Sequence, residues 1–479
     1  NMKDFANSIF FFNDYIEKYG NEKNLVEVKL RLADSYFGSK NFNKAAAIYK
    51  ELFSKDKLSS ESDLAFYQYC QSLFKAGKSS EAKNAFEELQ RKFPKSKYTD
   101  EAQYVIGWID FQQNDYNSAI SGYRKLLNRY PHSELKPLAI YNIGDAFFNQ
   151  GNYDSSIVYY SKVLESYPNS QYILDAVNGI QYAYVAKEQP GNAITFIDSF
   201  ISTNSDSKFS DQIFFKKGDL YYSIENYGEA IKAYKEFIAK YSSSGFVSNA
   251  YFWIGKCSSN MKKEADAISN YNTARQRSPK TDIGISAALE LAKIYSDKKQ
   301  YDNAVRVLDE TIAANSTSNQ VAELLFTKGT NESLAKKISD AASTFEQITS
   351  YYEGTIFAAK AKVELGKIEI ERKNFEKAQT YLREIGEKRL DDVGAQAQYY
   401  LGVSLFGQGK YSDAVTAFVR TRSIFSGYDE WYTKSLMMLG DCFVKLDDKK
   451  QAKEMYRSVL LRHADGEYAQ EAKRKMRGL

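Results

Sequence analysis

A repeat of 37 residues runs through almost the whole chain and restricts the folds it can adopt more than any other feature. Steps of 37 from Gly107, with one step of 36 and one of 38, reach twelve positions, of which ten are glycine or alanine. These anchor positions are Ala33, Cys70, Gly107, Gly144, Gln181, Gly218, Gly255, Ala292, Gly329, Gly366, Gly402 and Gly440. A fixed period of this length predicts twelve stacked supersecondary units.

Two further positions keep the same register. The residue twelve after each anchor is alanine in eleven of twelve repeats, and the exception is the similarly small Ser156. The residue sixteen after each anchor is bulky with an apolar body: Tyr49, Phe86, Tyr123, Tyr160, Ile197, Tyr234, Tyr271, Leu308, Phe345, Leu382, Phe418 and Tyr456. Small residues let neighbouring helices approach closely, and we expect the large residue to fill the gap between successive units.

Within one repeat, the apolar spacing predicts two helices joined by a short turn. In the repeat Tyr98–Glu134 the turn falls at Gln112–Asp115, and Tyr130-Pro131 ends the second helix because proline cannot continue the hydrogen-bond ladder. A single helix hairpin leaves an apolar face bare, and stacking buries it. The sequence therefore predicts an all-α solenoid of antiparallel helix hairpins, with a core that runs along its length.

The order of small and aromatic positions resembles the tetratricopeptide repeat family over nearly the whole chain. The family pattern also has an aromatic residue nine after the anchor, here Phe42, Tyr116, Tyr153, Tyr227, Tyr301, Phe375 and Tyr411. The resemblance implies a right-handed superhelical solenoid whose concave face is lined by the first helices. The period is three residues longer than the usual 34.

Three repeats close on a tyrosine or phenylalanine followed by proline, any residue and serine, at Phe93–Ser96, Tyr130–Ser133 and Tyr167–Ser170. This closure resembles that of bacterial envelope tetratricopeptide proteins of the Tol–Pal coordinating and β-barrel assembly lipoprotein types. It implies a periplasmic or outer-membrane-associated location, and a cytoplasmic location is the alternative.

The register also predicts how the chain is divided. Residues 1–23 match the second half of a truncated repeat, 24–464 hold the twelve repeats, and 465–479 match the first helix of a further repeat or a C-terminal cap. This division indicates a fragment of a longer protein; alternatively, Phe5–Lys18 and Glu467–Arg477 are single-helix caps. The period slips near 386–394 and 427–431 predict a kink or a block boundary.

Composition excludes several classes of function. The 65 Lys and Arg against 61 Asp and Glu give a net charge of +4 over 479 residues, which is too balanced for a nucleic-acid-binding surface. The sequence has no apolar run long enough to span a membrane. Cys70, Cys257 and Cys442 fall in different repeats, so we expect three buried thiols rather than a disulfide.

Residues for catalysis or for a cofactor are missing from the pattern. The two histidines, His132 and His463, fall far apart in or near turns between repeats, where we expect solvated side chains. The sequence has no paired-cysteine metal motif, no glycine-rich phosphate loop and no nucleophile elbow. We therefore expect no enzyme activity, no metal and no cofactor.

The family resemblance implies that residues three before, one after and four after each anchor point into the concave groove. In the first four repeats these offsets give the candidate site for a peptide or protein: Asp34, Phe37, Tyr67, Gln71, Phe74, Tyr104, Trp108, Phe111, Tyr141, Asp145 and Phe148. Such a groove suits an extended basic peptide or an amphipathic helix. The alternative is that the same stripe packs against neighbouring helices. Later repeats carry Lys256, Lys293 and Lys367 in place of the acids.

The sequence thus predicts a non-catalytic scaffold for protein–protein interaction, as a bacterial cell-envelope component that assists an outer-membrane or cell-wall assembly. The alternative is the sensory or regulatory repeat region of a multidomain signalling protein, such as a kinase or a transcription regulator. Both rest on the fold class rather than on a chemical site.

Overall fold

A computed structural model describes residues 4–19, 24–54, 62–204, 207–316, 318 and 320–479, and these residues form 26 α-helices and no strand. The predicted all-α class is confirmed. In chain order the helices are α1 Phe5–Lys18, α2 Leu25–Gly38, α3 Phe42–Ser54, α4 Ser62–Lys75, α5 Ser79–Lys92, α6 Thr99–Gln112, α7 Tyr116–Arg129, α8 Lys136–Asn149, α9 Tyr153–Ser166, α10 Ile173–Ala186, α11 Pro190–Thr203, α12 Ser210–Ser223, α13 Tyr227–Lys240, α14 Val247–Asn260, α15 Glu264–Arg277, α16 Asp282–Asp297, α17 Tyr301–Ala314, α18 Val321–Leu334, α19 Ile338–Tyr351, α20 Ile356–Glu371, α21 Phe375–Lys388, α22 Asp392–Gly407, α23 Tyr411–Ile424, α24 Asp429–Lys445, α25 Lys449–Arg462 and α26 Gly466–Arg477.

The chain divides into two compact units, Asn1–Ala233 and Tyr234–Leu479. In both units the even-numbered helices from α2 to α24 carry the anchors and are the first helices of hairpins, and the odd-numbered helices that follow are the second helices. The period slips at 386–394 and 427–431 lie inside the second unit, and a kink there stays a prediction. Residues 20–23, at the predicted boundary after residue 23, lie outside the described part of the chain.

The turn within every hairpin contains one residue with a left-handed backbone, seven positions after the anchor. Their φ angles lie between +58° and +77°, at Lys40, Gly77, Asn114, Gly151, Glu188, Glu225, Lys262, Lys299, Lys336, Lys373, Gly409 and Asp447. In the Gly107 hairpin, the Asn114 N–H donates to the Phe111 carbonyl at 2.9 Å and the Asp115 N–H donates to the Asp110 carbonyl at 2.9 Å. These bonds satisfy the last carbonyls of the first helix.

The glycine anchors provide room for the large residue sixteen positions later. A Cβ atom on Gly144 would lie 2.6 Å from the ring of Tyr160, and one on Gly107 would lie 2.9 Å from the ring of Tyr123. The other edge of the Tyr160 ring lies against Gly179 of the next hairpin, where a Cβ would also be 2.6 Å away. The tyrosine therefore fills the space between two successive hairpins.

The core of each unit follows the repeat. The residues twelve after the anchors, eleven alanines and Ser156, have a relative exposure of 0%, and those sixteen after the anchors have at most 2%. The three cysteines are buried and unpaired, as predicted, and burial raises the pKa of Cys257 to about 12. The small and large positions of the sequence pattern are therefore the core itself.

The second period slip inserts a buried aromatic residue. Helix α24 is 17 residues long, and near its start Trp431 is 6% exposed, in a cluster with Phe425 and Ala395. The indole Nε1–H donates to Asp392 Oδ1 at 2.9 Å. The longer spacing thus holds a tryptophan between α22 and α24.

Candidate protein-binding face

The predicted groove residues lie on the first helices α2, α4, α6 and α8 of the first unit, a surface that we call the first-helix face. Its residues four after the anchors pack at the hairpin turns. Phe37 and Phe42 have ring centroids 5.3 Å apart, and the corresponding pairs Phe111–Tyr116 and Phe148–Tyr153 are 5.4 and 5.3 Å apart. Phe74 has Ser79 in place of the aromatic partner and stays half-buried. These phenylalanines are therefore only partly available to a ligand.

The aromatic residues three before the anchors join hairpins. Tyr67 is 8% exposed and stacks on Tyr98 of the next repeat, with centroids 4.5 Å and planes 12° apart. Tyr141 stacks in the same way on Tyr172, at 6.3 Å. Tyr104 is half-buried, and its hydroxyl accepts a hydrogen bond from Asn142 Nδ2 at 2.9 Å. Most of the ring surface of these three tyrosines is therefore used for packing between helices, as the packing interpretation predicts.

The aspartates one after the anchors accept hydrogen bonds from buried tyrosines of the same hairpin. The Tyr49 hydroxyl donates to Asp34 at 2.6 Å, and the Tyr160 hydroxyl donates to Asp145 at 2.7 Å. Gln71, at the same offset, donates to the Tyr67 hydroxyl at 2.7 Å. These polar groups satisfy core tyrosines, so they have a structural role whatever else they bind.

The surroundings of Asp145 favour the protonated form of its carboxyl group. Burial raises the pKa of its carboxyl above the ordinary aspartate value, although hydrogen bonds from Tyr160 and Tyr141 act in the opposite direction. The negative charge of Asp175, on the next first helix, raises the pKa further. The folded protein therefore holds the Asp145 proton more tightly than the unfolded chain does.

This pKa shift predicts a pH dependence of stability. The stability that Asp145 contributes is fully present below its unfolded pKa, about 3.9, and is lost as the pH rises through the higher folded pKa. Asp145→Asn keeps an oxygen acceptor for Tyr160. We expect its melting temperature, measured as a difference from that of the wild type, to become more favourable as the pH is raised from about 4 to about 7. Asp413→Asn, at an exposed position of α23, is the control. Parallel melting curves for Asp145→Asn and the wild type across this range would contradict the assignment.

Three side chains of the first-helix face leave more apolar surface exposed to a partner. Trp108 is half-buried and stacks in parallel on Phe111, with centroids 5.5 Å apart. On α10, Tyr182 is 65% exposed and Val185 is 44% exposed. Tyr182 and Val185 stand one and four after the anchor Gln181, so the same offsets extended by one repeat would have found them. The candidate face thus reaches one repeat beyond the predicted eleven residues.

The same helices carry mostly negative charge. Helices α6, α8 and α10 contain one lysine, Lys136, and five acidic residues: Asp100, Glu101, Asp110, Asp145 and Asp175. Lys83 of α5 pairs with Asp110 at 2.5 Å, and the Ser133 hydroxyl donates to Asp100 at 2.7 Å. Glu101, Asp145 and Asp175 have no cationic partner among the described residues, so the negative charge of this face is uncompensated.

The lysines at the matching offset in the second unit are partly neutralised. Lys256 pairs with Glu290 at 2.9 Å, and Lys367 pairs with Glu364 at 2.7 Å. At these two positions the lysine charge is therefore paired, whereas Lys293 is exposed.

Metal ligands do not cluster in the part of the chain that the structure describes. No three His, Cys, Asp or Glu side chains there are placed to hold a metal ion, and no helix there is long and apolar enough to cross a membrane. His132 is exposed, as expected. The expectation for His463 is wrong, because it is half-buried, lies 2.9 Å from the Thr433 hydroxyl and packs beside Tyr468.

Two protein families match the sequence. Residues 59–152 and 133–261 match a family described as an outer membrane lipoprotein, and residues 314–477 match a tetratricopeptide repeat-like domain. No curated protein matches the sequence.

Solved structures also match this chain, at low sequence identity and with TM-scores below 0.5. The structure of Naa15/Naa10 bound to HypK-THB is 13% identical, with a TM-score of 0.38 over 92% of this chain; the chain spans 64% of that protein's length. The MamA protein is 17% identical, with a TM-score of 0.32 over 38% of this chain and 94% of its own. The C-terminal part of a repeat-containing protein from Cytophaga hutchinsonii is 16% identical, with a TM-score of 0.34 over 62% and 99% of the two chains.

Proposed function

We propose, since this chain belongs to the tetratricopeptide repeat superfamily, that it is a non-catalytic scaffold that binds a partner protein on the first-helix face of its first unit. One observation carries the proposal: Trp108, Tyr182 and Val185 stay exposed or half-buried, whereas the aromatic residues three before the anchors stack on the next hairpin. Aromatic side chains in a partly desolvated setting are typical anchors of protein interfaces.

The chemistry of the face favours one kind of ligand. Apolar anchors lie among Glu101, Asp145 and Asp175, so the best partner is an extended segment or amphipathic helix that carries Lys or Arg beside apolar residues. The acids favour the correct register and speed association, and the apolar contacts supply most of the affinity.

The family match supports a place in the bacterial cell envelope. The two segments that resemble an outer membrane lipoprotein family, 59–152 and 133–261, contain Trp108, Tyr182 and Val185. We infer a periplasmic or outer-membrane-associated protein that assists an outer-membrane or cell-wall assembly.

The proposal can be tested by affinity purification from the native cell envelope, with bound proteins identified by mass spectrometry. The wild type is compared with Trp108→Ala and Tyr182→Ala. Tyr351→Ala is the matched control, because Tyr351 is 78% exposed on α19 in the second unit. We expect one outer-membrane or cell-wall protein that is retained by the wild type and the control and is lost from both first-helix variants.

Two outcomes would contradict the proposal. Partners that bind all four proteins equally would place the binding surface elsewhere. Recovery of soluble signalling proteins in place of envelope proteins would favour a regulatory role instead.

A further inference from the structure

A second candidate surface lies on the second helices of the first unit, away from the first-helix face. Helix α7, with the sequence YNSAISGYRKLLNR, contains three cations and no acidic residue. Arg124, Lys125 and Arg129 are all exposed, and none has a carboxylate within ion-pair distance among the described residues. Other cations of the first unit do pair with a carboxylate of another helix, as Lys83 does with Asp110 and Lys187 with Asp154.

Arg124 is held in one orientation by two aromatic residues of the next hairpin. Its Nε and Nη2 donate to the Tyr159 hydroxyl at 3.1 and 2.9 Å. Its guanidinium carbon lies 5.9 Å from the ring centroid of Phe147 and 5.6 Å from that of Tyr159. Because the guanidinium is already oriented, a ligand that reaches Nη1 meets a donor that needs little further ordering.

The surroundings of Arg124 form a shallow cleft of about 390 Å³. Its walls combine donors, acceptors and apolar surface: Asn117, Ile120, Ser121, Arg124, Lys125, Asn128 and Phe147. Lys162 lies over the outer side of the Tyr159 ring at 4.5 Å, and Val158 beside it is 52% exposed. Positive charge and apolar surface therefore adjoin each other on α7, α8 and α9.

We propose that this cleft binds an acidic linear segment of a partner protein. A carboxylate of the segment pairs with Arg124 Nη1, a second acid lies near Lys125 or Lys162, and an apolar residue between them packs on Phe147. Carboxylates match the geometry of a guanidinium, and the apolar wall gives a peptide an advantage over a small anion such as phosphate.

The test uses a fluorescein-labelled peptide of alternating glutamate and leucine, titrated with the full chain and followed by fluorescence polarisation. A peptide with glutamine in place of glutamate is the ligand control. The protein variants are Arg124→Gln, Lys125→Gln and Tyr159→Phe, and Arg306→Gln is the matched control because Arg306 is exposed on α17. Circular dichroism checks that each variant is folded.

We expect Arg124→Gln to weaken binding about 10-fold, since a hydrogen bond to a charged group is lost. Lys125→Gln and Tyr159→Phe should each weaken it about 3-fold, and Arg306→Gln should bind as the wild type does. Unchanged binding by Arg124→Gln, an equal loss in Arg306→Gln, or no binding by the wild type would overturn the proposal. Displacement of the peptide by inorganic phosphate at equal concentration would do so as well, because the cleft would then be a phosphate site.

Discussion

Replacement of Gly144 by leucine is expected to lower the free energy of unfolding by about 3 kcal/mol, at the upper end of the cost of overpacking a core. The added Cβ would start 2.6 Å from the Tyr160 ring. The other edge of that ring lies against Gly179 of the next hairpin, where even an added Cβ would be only 2.6 Å away, so the ring has little room to retreat. The helices must separate, which also strains the hydrogen bond between Tyr160 and Asp145. Chemical denaturation monitored by circular dichroism measures the loss.

Gly228→Ala is the matched control for this substitution. Gly228 lies in α13, and a Cβ added there meets nothing within 4 Å. We expect this variant to be unchanged or slightly more stable, since alanine has the higher helix propensity. Equal stability of Gly144→Leu and the wild type would show that the anchors are not sites of close packing.

The double substitution Trp108→Ala and Tyr182→Ala is expected to weaken binding of the envelope partner by about 30-fold or more, which corresponds to at least about 2 kcal/mol for the loss of interface anchors. Tyr182 is 65% exposed and Trp108 is half-buried, so the melting temperature should change little. Isothermal titration calorimetry with the purified partner measures the affinity, and Tyr351→Ala is again the control. A variant that unfolds, or one that binds normally, would favour the packing interpretation of the stripe.

Most of the fold was predictable because one packing rule repeats along the chain. The anchor, the small residue twelve later and the large residue sixteen later are buried in every hairpin, so their register alone predicts hairpins and core. The backbone conformation of the hairpin turns was harder to predict from the sequence. Lys262, Lys299 and Lys336 adopt left-handed backbones in turns where glycine would be expected. Hydrogen bonds that close the turn, such as that from the Lys263 N–H to the Ser258 carbonyl at 2.8 Å, outweigh the preference of a non-glycine residue for a right-handed backbone.

The candidate site was predictable in its positions and not in its contacts. The offsets from the anchors locate the first helices correctly, but the sequence does not show that Tyr67 stacks on Tyr98 or that Asp145 accepts from Tyr160. Those partners lie 31 and 15 residues away, and only the geometry of the hairpin brings them together. Tyr182 was missed because its anchor is the atypical Gln181.

Site-specific photo-crosslinking in living cells can show directly which face of the first unit contacts the partner. A photo-reactive amino acid replaces Trp108 or Tyr182 on the first-helix face, and replaces Thr195, which is exposed on the second helix α11, as the control. We expect positions 108 and 182 to crosslink to the same envelope protein and position 195 not to do so. Crosslinking of that protein only from position 195, or equally from all three positions, would contradict a partner bound on the first-helix face.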